Sequence, residues 1–317
     1  MARKIAEKRL ISLNDLPIIW RSPPKENNMQ TESASSLYHK ATIFIISAYF
    51  SITLMNVFVK TASDTMPASE TLFSRFLIGL LFLLPFMIKD KDFKVETRQW
   101  KFLVLRNLAG VGSMLINFYV VKFLPLSISV LLMNTSALFV PILLLFFHEK
   151  TPLNVLGLSL IGFTGVSIIL LSNQNDSFEP IYVLIGLGGA ILAAMAFISL
   201  QELNKHNSPK NIVFYFHLIG TLLLPMFFIH QWKIPDLYEL GLLLLVSGFG
   251  LVFQLLLTRA FKHAPANVIV PFAFTGVIFS SIFDWLIWDH APSAFFWIGA
   301  VMIVVSVSWL AKVRKAK

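Results

Sequence analysis

The chain contains no cysteine. That removes disulfide frameworks, thiolate metal sites, cysteine nucleophiles and thiolate-bound iron–sulfur clusters together, and it leaves the redox compartment undetermined. The chain is also poor in charge, with 14% Asp, Glu, Lys and Arg in 317 residues, against about 25% in soluble domains. Combined with 56% hydrophobic residues and a mean hydropathy of +0.73, this scarcity excludes a water-soluble globular fold. Catalytic signatures are missing as well: there is no Walker sequence, no HExxH, no Gly-x-Ser-Gly and no pair of adjacent glutamates. A nucleotide-driven pump and an intramembrane hydrolase both lose their machinery. No catalytic residue, metal site or cofactor is expected.

What is present is a series of apolar runs of about 20 residues, the length that crosses a bilayer. Ten spans are expected, over 41–60, 70–88, 102–121, 127–147, 154–172, 181–203, 211–229, 239–258, 266–287 and 293–311. They should be helices, because backbone groups in hydrocarbon must be paired within their own segment, and a closed barrel would show short alternating strands instead.

The 26 Lys and Arg residues distribute unevenly around these spans. With a cytoplasmic N-terminus, 21 fall on the cytoplasmic side and only Lys60, Lys122 and Lys233 opposite, while Arg75 and Arg106 lie inside spans. The positive-inside rule therefore places both termini in the cytoplasm. The net charge of +9 reads as an orientation signal rather than a nucleic-acid footprint, which needs basic residues gathered on one face with aromatics to stack bases. Residues 1–40 are polar and lack the apolar core of a signal peptide. They are expected to be a disordered cytoplasmic extension, with Met29 as an alternative start, and 312–317 a basic cytoplasmic tail.

The spans divide into halves, 41–172 and 181–311, that align at an offset of 140. Lys122 and Pro125 fall on Lys262 and Pro265, and Val130, Thr135, Phe139, Ile142 and Pro152 fall on Val270, Thr275, Phe279, Ile282 and Pro292. Each half has an odd number of spans, so the second enters the membrane from the opposite side. The expected fold is all-α and integral to the membrane, ten transmembrane helices in two inverted five-helix repeats. Inverted repeats are the usual architecture of secondary transporters.

The sequence resembles the drug/metabolite transporter superfamily, in particular its EamA-like members. In the first half the resemblance is carried by Asn56-x3-Lys60, Pro67, Glu70, Arg75, Tyr119, Lys122, Pro141 and Glu149. In the second it is carried by Ala260-Phe261-Lys262, Ala264-Pro265-Ala266, Pro271, Asp289 and Gly299. Asp284 and Asp289 depart from the family pattern. The resemblance implies a basket of ten helices around a central cavity lined by spans one, three, four, six, eight and nine.

Ionisable residues within spans are functional candidates by default, since burying a charge in a membrane is costly. Arg75 can clamp a carboxylate or phosphate, or pair with Glu70, Asp64 or helix carbonyls and close an outer gate. Lys60 is placed to snorkel to headgroups and Arg106 to anchor the cytoplasmic interface; gating or coupling is the other reading of each. Asp284 is read either as a proton site or as a partner of Lys60 or Lys122. His217 is read as a proton relay or a hydrogen-bonded packing residue. Glu149 and Asp289 precede Pro152 and Pro292, where the start of a helix favours an anion; a gate salt bridge is the other reading.

Uncharged polar residues are the expected cavity lining: Ser51, Asn56, Ser113, Asn117, Asn134, Thr135, Ser136, Ser247, Gln254 and Thr275, with Phe274, Tyr119 and Tyr215 to stack on a ring or cation. The favoured activity is secondary transport of a small zwitterionic or amphipathic metabolite, amino acids first, with protons as a candidate coupling ion. S-adenosylmethionine uptake is the alternative, and a non-transporting scaffold is the reading from a different class.

Overall fold

The computed structural model describes residues 34–91, 93, 99–146, 153–172, 179–228, 234–263 and 270–315, and no strand occurs among them. In chain order they form α1 (Ala34–Ala62), α2 (Ala68–Asp90), α3 (Trp100–Val120), α4 (Leu126–Asn134), α5 (Ser136–Phe146) and α6 (Leu153–Ser172). These are followed by α7 (Pro180–Leu203), α8 (Pro209–Leu223), α9 (Pro225–Phe228) and α10 (Leu237–His263). A 3-10 turn over Val270–Phe274 leads into α11 (Thr275–Trp288), and α12 (Ala294–Lys315) ends the described chain. Five stretches, His39–Ala62, α2, α3, α7 and α10, are long and apolar enough to cross a membrane, and shorter apolar helices accompany them.

Local sequence explains where the helices start. Pro180 and Pro209 occupy first-turn positions, where proline loses no hydrogen bond. Ser208 caps α8 by accepting from the Asn211 N–H at 3.2 Å. At the head of α10, Asp236 Oδ1 accepts from the Glu239 N–H at 2.8 Å and Glu239 Oε2 from the Asp236 N–H at 2.9 Å, a reciprocal capping box.

The structure departs from the expected segments in several places. α1 opens at Ala34, inside the stretch assigned to the N-terminal extension. Three spans are interrupted, two of them beside prolines, Pro225 and Pro271, where a kink is expected. The fourth breaks at Thr135, the seventh at Leu224 just before Pro225, and the ninth starts as a 3-10 turn before continuing as α11. Proline cannot donate the missing hydrogen bond at Pro225. At Thr135 the hydroxyl itself takes the Leu132 carbonyl at 2.6 Å.

The helix contacts include α1 with α10, α3 with α7, α2 with α8, α4 with α11, and α6 with α12, beside others such as α2 with α10 and α5 with α7. Exchanging the two halves leaves the first five pairs unchanged as a set: α1–α10 and α3–α7 swap, and the other three map onto themselves. In the α6–α12 pair the backbones meet at Gly165 and Gly299, where a Cβ on either would strike the other's carbonyl. The core runs through Met55, Leu72, Phe76, Phe118, Leu126, Ile128 and Phe216, all buried. Leu81, Phe82, Phe86 and Ile88 on α2, and Ile278, Ile282, Trp285 and Leu286 on α11, are exposed. Apolar faces of this extent belong in lipid rather than water, and the chain is a multi-pass membrane protein.

Candidate functional site

A cavity of about 80 Å³ lies between the helices, bounded by α1, α3, α4, α7, α8 and α10. The polar lining is Tyr49 and Asn56 from α1, Arg106, Ser113 and Asn117 from α3, Asn134 from α4 and Gln254 from α10. Ile52, Met55, Met114, Met133, Phe197, Phe216, Phe253 and Leu257 supply apolar wall. Arg106, Gly110, Ser113 and Asn117 follow the 4-3-4 spacing of one helical stripe, so a single face of α3 presents a guanidinium, a gap, a hydroxyl and an amide in sequence. Gly110 matters here because a Cβ at that position would run into Arg106 Nη1.

Within the cavity Asn117 Nδ2 donates to Asn56 Oδ1 at 3.1 Å, and Asn134 Nδ2 donates to the Ala273 carbonyl at 3.0 Å. Several buried polar atoms have no hydrogen-bond partner among the described residues: Arg106 Nε, Asn117 Oδ1, and both Oε1 and Nε2 of Gln254. Arg106 is 3% exposed, and its guanidinium carbon sits 4.3 Å from the centre of the Phe216 ring. Buried polar groups are normally satisfied, and these four unpartnered atoms lie on the lining of one space; others, such as Arg75 Nε, His217 Nε2 and both amide atoms of Asn204, lie elsewhere.

The family comparisons follow from this geometry. Residues 39–171 and again 180–311 match the EamA-like transporter family. The chain belongs to the EamA-like transporter family. It is similar to the pseudopaline exporter of Pseudomonas aeruginosa, at 30% identity over 88% of this chain and 98% of that one. It is also similar to a riboflavin transporter of Vibrio cholerae, at 25% identity over 86% of this chain and 92% of the relative. An S-adenosylmethionine uptake transporter of Rickettsia bellii matches at 25% identity over 78% and 85%. A crystal structure with a TM-score of 0.64 and 15% identity, covering 88% of this chain and 98% of that one, shares the fold. This EamA-like protein is thus one of a set of drug/metabolite transporters whose named members move chemically different small molecules.

The sequence-based candidates separate once placed in the EamA-like structure. Asn56, Ser113, Asn117, Asn134 and Gln254 come together at the cavity. Arg106, expected as an interfacial anchor, joins them, because its position on the 106–110–113–117 stripe turns it inward rather than toward headgroups. Thr135, Thr275 and Phe274 do not line the space. Thr275 Oγ1 bonds back to the Phe272 carbonyl at 2.6 Å, Thr135 does likewise in its own half, and Phe274 is in the core. Ser51 bonds to the Phe249 carbonyl, and Ser247 to the Leu243 carbonyl. Tyr119 is exposed beside Phe123 and Tyr182, and Tyr215 donates to the Phe93 carbonyl.

Arg75 is fully buried behind the cavity wall rather than in it. Its Nη1 donates to Met114 Sδ at 3.0 Å and its Nη2 to the Gly250 carbonyl at 3.3 Å. Among the described residues it makes no ion pair with Glu70 or Asp64. Glu70 is buried in the first turn of α2 while Asp64 is exposed. His217 Nδ1 donates to the Val213 carbonyl at 2.9 Å, and its ring packs on Phe76 and over Gly79.

Asp284 is neither loose in a vestibule nor exposed. Its Oδ1 accepts from the Leu126 N–H at 3.0 Å, and its Oδ2 from the Ser127 N–H and Ser127 Oγ, each at 2.7 Å. Pro125 offers α4 no side-chain cap, so an aspartate from α11 satisfies the first-turn donors from across the repeat boundary. Lys60 is drawn inward as well, correcting its assignment as a headgroup anchor. Its Nζ donates to the Leu124 carbonyl at 3.1 Å, lies 3.8 Å from Asp284 Oδ1 and sits over the Trp288 ring.

Asp289 does not start the last helix. It ends α11 in the left-handed region at φ 58°, a conformation Asp tolerates better than most residues, and Ser293 caps α12 by accepting from the Phe296 N–H. Glu149 lies outside the described residues.

Polar clusters therefore flank the cavity along its length. One turn beyond Asn56 and Val130 is the Lys60–Leu124–Ser127–Asp284 group. Toward the other end, Asn207 Nδ2 donates to Gln99 Oε1 at 2.8 Å, Gln99 Nε2 to the Glu202 carbonyl, and Lys205 pairs with Glu202.

Proposed function

We propose that this chain is a secondary active transporter that carries a small metabolite, an amino acid or a comparable zwitterionic and amphipathic solute, across the cytoplasmic membrane by alternating access. Ten spans in two inverted repeats with both termini cytoplasmic are the architecture that goes with this reading. The charge asymmetry of the loops supports the orientation. The helix pairing that is unchanged when the halves are exchanged supports the repeat.

The observation that carries the proposal is the central cavity, walled by helices from both family-matching segments and lined by polar atoms without protein partners. Clusters flanking it give each side a set of contacts that can break in turn: Lys60–Asp284–Ser127 on the outer side and Gln99–Asn207–Glu202 on the inner side. Asp284 accepts three hydrogen bonds that hold α4 in place, so its contribution is to gate structure rather than to proton transfer.

A second reading, uptake of S-adenosylmethionine, is favoured by the relatives named for that activity and by the aromatic wall of Tyr49, Phe197, Phe216 and Phe253, which suits a planar base. The test is flux into proteoliposomes with a panel of amino acids, nucleosides and S-adenosylmethionine. Saturable flux of at least one solute is expected, and flux of none would return the scaffold reading.

A further inference from the structure

We propose that Arg106 is the anchor for a carboxylate on the transported solute, which makes the cargo class carboxylate-bearing metabolites; this rests on the transporter reading above. Arg106 is the one charged residue among those lining the cavity. It is 3% exposed, forms no ion pair and no hydrogen bond among the described residues, and leaves Nε without a partner. Its support is the Phe216 ring 4.3 Å away, a contact that holds the plane of the guanidinium without using its donors.

An unpaired cation held away from water is costly, and this one is retained beside a glycine that makes room for it. A cargo carboxylate relieves that cost, because the five donors of a guanidinium match a carboxylate two at a time. Arg75 is the contrast: equally buried and also with Nε unpartnered, it gives Nη1 to Met114 and Nη2 to Gly250 and stays outside the lining. It is a brace between α2, α3 and α10. Asn117 Oδ1 and Gln254 Oε1 are further lining acceptors without donors, available to hydrogen-bond donors on the rest of the solute.

The experiment uses matched pairs of probes that differ in the carboxylate. These are L-phenylalanine against L-phenylalaninamide, and S-adenosylmethionine against its decarboxylated form. Binding to the purified full chain in nanodiscs is measured for wild type, Arg106→Lys and Arg106→Gln. In at least one pair the carboxylate member should bind about tenfold or more tightly, the contribution of a charge-assisted contact. Arg106→Gln should erase the preference and Arg106→Lys restore part of it. Equal affinities within both pairs, no binding of any of the four, or a preference that survives Arg106→Gln would overturn the assignment. If the variants do not fold, the wild-type pairs decide. In proteoliposomes, flux of phenylalaninamide equal to that of phenylalanine removes the anchor and leaves the transporter standing, whereas no flux across the wider panel removes both.

Discussion

Asn134 donates to the carbonyl of Ala273 at 3.0 Å, and the two residues stand immediately beside the breaks in the fourth span of each half. The next residue in the first half, Thr135, caps Leu132 at 2.6 Å; Thr275, 140 positions on, caps Phe272 at 2.6 Å. The same side-chain bond thus recurs at matching places beside the two interruptions, and one amide bridges them. A helix that breaks where its counterpart breaks has the form expected of a hinge shared by the repeats.

Asn134→Ala should lower thermal stability by about 1–3 kcal/mol, since it strands the Ala273 carbonyl in the core. Thr135→Val and Thr275→Val should each cost less and by similar amounts, and should slow flux more than they weaken binding. Thermal unfolding and transport rates read in parallel check both statements.

Asp284→Ala removes the side-chain cap that, among the described residues, the start of α4 receives, and should destabilise by about 1–2 kcal/mol. Asp284→Asn, which keeps acceptor capacity on one oxygen, should cost less. If Asp284 instead carried the coupling proton, Asp284→Asn would leave stability unchanged and abolish proton-dependent flux.

The glycines of α10 provide an internal control. A Cβ at Gly250 meets Arg75 Nε, with Met55 Sδ at 3.0 Å, whereas one at Gly248 meets nothing within 4 Å. Gly250→Ala should cost about 1–3 kcal/mol by overpacking, and Gly248→Ala should be tolerated, as thermal unfolding of the two proteins will show.

Hydropathy and charge alone were sufficient to read an all-helical membrane protein, because an apolar run of about 20 residues has few other fates. The break at Thr135 was not readable, since hydropathy is blind to a hydroxyl bonding its own backbone. Asn56, Ser113, Asn117, Asn134 and Gln254 were legible as lining because uncharged polar residues in apolar spans have few alternatives. Nearness to a span end favoured the anchor reading of Arg106; the 106–110–113–117 stripe is the signal that turns it toward the cavity. Lys60 as a partner of Asp284 was one of the sequence readings and is present, but the bonds of Asp284 to backbone amides more than 150 residues away are a relation no local pattern encodes.

The absence of native cysteine makes the central claim directly accessible, since any thiol introduced is unique. Ser113→Cys places one on the cavity stripe, and its labelling by a membrane-impermeant maleimide can be compared in right-side-out and inside-out vesicles. Alternating access predicts modification from both sides, slowed from both by a bound solute. Modification from one side only, or from neither, would contradict it.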